Sequence, residues 1–258
     1  MIRLGAGRAI LPWLANAFGR LLGRGRRMAS GMAPLPRIRQ WRADAALLKA
    51  VERDDCAALR SALARGADPN ARLRDKTPAL ILSARCQDGA IATLLLQAGA
   101  DPDGQTPFGF SAAMAACDQG MPELLAALLA AGADPNLASC IGETAAMRCS
   151  YAHCGGAAVA CLRLVAAAGA DLDAGRGDGW SAAMHAACFG HTAILSELHR
   201  LGADFLRSTP AGETLESAAL KRRHHECAAA AASMREAQEL AKSSNASGLP
   251  RKTRAARL

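Results

Sequence analysis

The sequence predicts an all-α chain, a solenoid of stacked helix-turn-helix units joined by turn-rich fingers. Three observations predict it. The tripeptide Gly-Ala-Asp begins at Gly66, Gly99, Gly132, Gly169 and Gly202, at intervals of 33, 33, 37 and 33 residues. A fixed period in this range marks repeats that bury their faces only by stacking. Ten residues after four of these aspartates stands a hydroxyl residue, Ser111, Thr144, Ser181 or Thr214, each preceded two positions earlier by a glycine. Finally, 51% of the residues are apolar but only 3% are aromatic, and alanine supplies much of the rest. Alanine favours helix and lets helices approach closely.

Each element follows from these signals. The hydroxyl residue caps a first, inner helix, such as the one over residues 112–117. Gly120 ends that helix, and Pro122-Glu123 opens a second, outer helix running to Ala131. The glycine of Gly-Ala-Asp stops the outer helix, where a left-handed residue is needed. The stretch up to the next hydroxyl is a turn-rich finger, with Gly109, Gly142, Gly179 or Gly212 at its return. In the first finger Thr77 falls nine residues after Asp68, which the reading accommodates with one compensating extra residue later; Pro78 then opens the helix at its first position. Thr144's unit carries four extra residues around 150–156, between its helices. Helix pairs count to six. The first, about residues 45–65, has no finger before it and acts as a cap. The last begins at Thr214 and ends near Leu240.

Thr77-Pro78, Leu94-Leu95-Leu96 with Gly99-Ala100-Asp101, Gly132-Ala133-Asp134-Pro135-Asn136 and Gly190-His191 together resemble the ankyrin repeat family, over about residues 42–236. The resemblance implies an ankyrin-repeat solenoid: a curved stack with β-hairpin-like fingers projecting at one edge, whose concave face and fingers bind a partner protein. The family's histidine after the Thr-Pro-Leu start is replaced here by Leu80, Met114, Met147 and Met184. Apolar packing then stands in for the histidine's ties between neighbouring repeats.

The net charge of +8 belongs to the ends of the chain. Residues 1–43 hold nine arginines and residues 242–258 hold five Lys or Arg, with no acid in either stretch. The remaining 17 basic residues face all 23 acidic ones, a net of −6 for residues 44–241. That balance argues against nucleic-acid binding by the repeats themselves. Three segments follow: a basic leader over 1–40, the repeat domain over 41–241 and a basic tail over 242–258. Ile10, Leu14, Phe18 and Leu21 fall on one face of a possible leader helix, ringed by arginines. Three readings of the leader stay open: an organellar, for example mitochondrial, transit segment, a disordered basic leader, or translation starting at Met28 or Met32. No apolar run reaches the roughly 20 residues that span a bilayer, so the expected location is intracellular, chiefly cytoplasmic.

Chemistry-bearing patterns are sparse. The nine cysteines show no paired CxxC spacing and read as small buried thiols. Cys149, His153 and Cys154, with Cys140 and Cys161 nearby, form the one cluster to weigh as a metal site, and they lack zinc spacing. The expectation is therefore no enzyme activity, no cofactor and no metal. The expected function is a protein-protein interaction module or adaptor for a partner protein the sequence does not identify. The alternatives are a nucleic-acid or anionic-membrane adaptor working through the basic ends, or a structural subunit of a larger assembly. The candidate contact residues are Arg72, Arg74, Phe108, Phe110, Ile141, Arg176, Trp180 and Arg207, all in fingers; Trp and Arg are frequent interface anchors.

Overall fold

A computed structural model describes residues 36–246 except 85, 87–88 and 152–154. The chain divides into two compact units, 1–39 and 40–258; in the first, only the opening residues of one helix are described.

Among the described residues twelve helices form six antiparallel pairs: α1 Pro36–Glu52, α2 Cys56–Ala64, α3 Ala79–Ser83, α4 Ala90–Gln97, α5 Ala112–Gln119, α6 Pro122–Ala130, α7 Ala145–Tyr151, α8 Gly156–Ala167, α9 Ala182–Phe189, α10 Thr192–Arg200, α11 Leu215–Lys221 and α12 His225–Ala246. The inner helices α3, α5, α7, α9 and α11 pack in sequence, and so do the outer helices α2, α4, α6, α8, α10 and α12. Ser111, Ser181 and Thr214 cap α5, α9 and α11 by accepting the N–H of Met114, Met184 and Ser217.

The core is built from equivalent positions of successive repeats. Inner helices supply Ala112, Ala145 and Ala182, then Ala113, Ala146 and Ala183, then Met114, Met147 and Met184, all buried. Outer helices supply Leu95, Leu128, Val165 and Leu198, together with Leu125, Leu162 and Leu195. Small alanines bring the inner helices close, and the flexible methionines fill the gaps that remain.

The first finger departs from expectation. Pro78, with extended backbone, is the residue before α3, and Thr77 offers no cap. Arg72 bridges to Pro78 as Gln105 bridges to Ser111, so Pro78 occupies the place of Ser111 and the 33-residue period needs no compensating residue. Lys76 then stands where Gly109 stands, with a left-handed φ of 65°. Proline serves because its fixed φ suits the extended turn into a helix. Three of the extra residues of the fourth unit lengthen α8 rather than a loop: α8 has 12 residues where α6 and α10 have 9. α1 begins at Pro36, ahead of the expected boundary at 41, and α12 runs past Leu240 to Ala246. Its alanine-rich sequence favours helix, and Gln238 and Lys242 tie it to the preceding loop.

The fingers share one hydrogen-bond pattern. The N–H groups of Leu73, Thr106, Ser139, Arg176 and Thr209 donate to the carbonyls of Thr77, Phe110, Glu143, Trp180 and Glu213 at 2.8–3.0 Å. Return bonds come from the left-handed residues Lys76, Gly109, Gly142, Gly179 and Gly212. This is a three-residue hairpin with a glycine bulge, although only isolated bridges occur among the described residues.

Between repeats runs a second pattern that uses the residue two positions after each Gly-Ala-Asp. The N–H of Asp101 donates to Asn70 Oδ1, that of Asp134 to Asp103, that of Asp171 to Asn136 and that of Asp204 to Asp173, at 2.7–2.9 Å. Each aspartate of the tripeptide meanwhile accepts the N–H two residues on, fixing its own turn. Asp44 of α1 begins the ladder by accepting from Asp68. Leu206 supplies no acceptor at the other end, and Gln238 of α12 takes over, accepting from Phe205 and donating to Ala203.

Two outcomes follow. Asn136→Ala removes the acceptor for Asp171 and the donor to Gly169; urea denaturation is expected to show a loss of about 1 kcal/mol, the net worth of such bonds. Lys76→Gly relieves a left-handed lysine and is expected to raise the urea midpoint, by up to about 1 kcal/mol in stability. No change in the midpoint would refute the strain at Lys76.

Candidate functional site

Aligned on their inner helices, the repeats are nearly uniform where they face the core and differ where they face the fingers. At the finger return stand Thr77, Phe110, Glu143, Trp180 and Glu213. One turn into the helix stand Ala115, Arg148, His185 and Ala218, and three residues further Asp118, Tyr151, Cys188 and Lys221. Large and charged side chains therefore concentrate on the third to fifth units.

There they form one network. The buried Glu143 carboxylate accepts from Arg148 and, at 3.0 Å, from the Tyr151 hydroxyl. Arg176 lies 3.6 Å from Glu143 and also pairs with Asp178. Arg148 reaches Asp118 at 3.8 Å. The Arg148 guanidinium lies over the rings of Phe110 and Tyr151, 4.9 and 5.3 Å from their centroids. Tyr151 packs on His185 and Phe189, and Trp180 on His185, with centroids 4.9–5.2 Å apart. Burial in this setting, followed by the charge and hydrogen bond of Glu143, pushes the Tyr151 hydroxyl up to about 12. Burial lowers the pKa of His185, whose Nδ1 lies 2.8 Å from the Ser181 carbonyl.

The middle fingers are also joined backbone to backbone. Cys140 N–H donates to Phe108 carbonyl at 2.9 Å, and Gly177 N–H to Ile141 carbonyl at 3.4 Å. In the second and fifth fingers the corresponding donor position is Pro107 or Pro210, which has no N–H. The second, third and fourth fingers thus form a linked block. Gly109 is needed for the close approach as well as for its φ of 75°, because a Cβ there would lie 2.9 Å from Cys140 N.

The predicted contact residues divide into two groups. Phe108, Ile141 and Arg74 are exposed, with 73% of Phe108 and 53% of Ile141 accessible. The others have partners within the chain, Arg72 and Arg207 while exposed as well. Arg72 donates to the carbonyls of Lys76 and Gln105, and Arg207 to that of Asp173. Phe110 and Trp180 pack against the core, and Arg176 is ion-paired. The sequence reading does not single out Asp118, Glu143, Arg148, Tyr151, His185 or Phe189. A signal is present: each interrupts the alanine-rich pattern at a position that its sister repeats fill differently.

Two open grooves lie apart from the network, one lined by Trp41, Leu48, Leu73 and Arg74, the other by Arg163, Asp171, Asp173 and Arg200. Of the cluster weighed as a metal site, His153 and Cys154 fall outside the described residues. Cys149 and Cys161 are buried free thiols beside Cys117, whose own thiol is pushed well up by those two neighbours and by burial, while Cys140 is exposed. Among the described residues no group of three or more His, Cys, Asp or Glu is arranged to hold a metal ion. No helix there is long and apolar enough to cross a membrane.

Residues 47–139 match the family model described as ankyrin repeats (3 copies). A crystal structure of an ankyrin repeat domain from Acinetobacter baumannii AYE is similar, with a TM-score of 0.63 at 24% identity, covering 73% of this chain and 96% of that one. Residues 47–139 are thus similar to ankyrin repeats, and the chain shares the ankyrin fold. No curated protein matches the chain. Within the ankyrin fold the Glu143 network lies on inner helices and finger returns, and the linked fingers lie beside it. Ankyrin repeats are in general protein-protein interaction modules and are typically non-catalytic.

Tyr151 is the chain's single tyrosine, so ultraviolet absorbance titrates it alone. In the native protein its midpoint is expected well above the ordinary 10, toward about 12. Because the folded state holds the proton more tightly, the stability this contributes is present below pH 10 and is lost as pH rises toward 12. Glu143→Gln is expected to move the midpoint down. An unshifted wild-type midpoint would refute the network as described.

Proposed function

We propose that the chain is a protein-binding module whose contact surface is the linked block of second to fourth fingers together with the adjoining inner-helix face. The observation that carries this reading is the placement of Phe108 and Ile141. Both are large apolar side chains at the tips of fingers whose backbones are hydrogen-bonded to each other. Neither contributes to the core, and exposed apolar side chains on a rigid support suit a partner. Arg74 extends the surface to the first finger. Phe110, Arg176 and Trp180 support the block from behind, each with part of its surface still accessible. Arg72 and Arg207 fix the spacing of fingers and adjacent loops through their carbonyl contacts.

The test separates binding from folding. Affinity capture with the full chain is run in parallel with Phe108→Ala/Ile141→Ala, under conditions where both proteins show the same helix content and melting temperature. The double variant is expected to lose at least tenfold in affinity for captured proteins, about 1.4 kcal/mol. Equal capture by both proteins would move the contact surface elsewhere.

A further inference from the structure

Resting on that surface assignment, we propose that its occupant is a basic protein segment with apolar flanks, whose cationic side chains seat on Asp118 and Asp178. The network across the face alternates in charge: Asp118, Arg148, Glu143, Arg176, Asp178. Three carboxylates share two guanidiniums, and a carboxylate closes each end. Those terminal carboxylates are the most exposed members, at 34% for Asp118 and 42% for Asp178. Glu143 in the middle is buried and receives both arginines, so its charge is balanced within the protein. Each terminal carboxylate meets one guanidinium, Asp118 also accepts from Gln119 and Asp178 from the Trp180 N–H, and about a third or more of each side chain stays accessible to a further cation.

The rings between them are already used for cations. Arg148 lies over both Phe110 and Tyr151, and Trp180 and Phe189 extend the aromatic surface with partly accessible rings. A cation arriving from outside would meet ring faces and carboxylates of the kind that hold Arg148. Residues 44–241 carry a net −6 against +8 for the whole chain, so the repeats, unlike the ends of the chain, favour cationic partners. An acidic segment would instead face two exposed carboxylates. The apolar flanks follow from Phe108 and Ile141, which gain only from covering by apolar groups.

The experiment selects from a randomised linear-peptide display library on the immobilised full chain and measures affinities of the enriched peptides by calorimetry. The expected peptides combine Arg or Lys with Leu, Ile or Phe, and bind more weakly as salt is added. Asp118→Asn/Asp178→Asn is expected to weaken them by at least about tenfold, with melting temperature unchanged. Should that variant melt early, Asp118→Ser and Asp178→Ser are measured singly, and at least one folded variant must show the loss. Peptides sensitive to Phe108→Ala/Ile141→Ala but neutral or acidic, or indifferent to the aspartate changes, would overturn this inference and leave the surface assignment standing. Basic peptides indifferent to Phe108→Ala/Ile141→Ala would overturn the surface assignment itself. A library yielding no binder would overturn the peptide occupant.

Discussion

The stack depends on one recurrent hydrogen bond, from the backbone N–H of a Gly-Ala-Asp aspartate to the side chain of an Asn or Asp in the preceding repeat. Each bond is worth only about 0.5–1.5 kcal/mol net. Its importance lies in position, because it sets the offset between one repeat and the next at the point where the chain turns from outer helix to finger. The same aspartate accepts the N–H two residues on, so turn and inter-repeat contact share one residue. Both ends of the ladder are closed by helices, through Asp44 and Gln238. A solenoid without such closure would expose an unpaired donor or acceptor at its ends.

With the offset fixed, the inner helices α5, α7 and α9 can each open with Ala-Ala-Met without losing register. Ala112, Ala145 and Ala182 recur as buried residues at the same position of successive inner helices. Against that uniform scaffold the finger-facing positions are free to vary, and in the third to fifth units they collect Glu143, Arg148, Tyr151, Trp180 and His185. Burying Glu143 would be costly alone. Two guanidiniums and the Tyr151 hydroxyl meet the charge, which also holds the aromatic rings in fixed positions. Preorganised rings and charges lose little entropy when a partner binds.

The fingers show how a single missing donor divides a surface. Cys140 and Gly177 tie the second, third and fourth fingers, while Pro107 and Pro210 leave the outer boundaries without that bond. Proline favours the turn itself, so its presence at those positions trades linkage between fingers for rigidity within one.

The 33-residue period, the helix pairs and their stop signals were legible in the sequence, because glycine, proline and hydroxyl residues act on the backbone within a few residues. Left-handed glycines at 66, 99, 132, 169 and 202 stand where the repeat places them. Local chemistry misled where one residue replaced another in the same role, as Pro78 did for a hydroxyl and Lys76 for a glycine, and over the fourth unit's extra residues, three of which lengthen α8. The exposed tips Phe108 and Ile141 were also legible, since a finger has nothing beyond it to pack on. What tertiary structure alone decided was which finger side chains are occupied from within. Trp180, Phe110 and Arg176 meet partners some 5 to 38 residues away in sequence, and the Glu143 network joins residues from three repeats. The contacts of Phe110 and Arg176 depend on the offset between stacked units, a long-range quantity that no single repeat encodes.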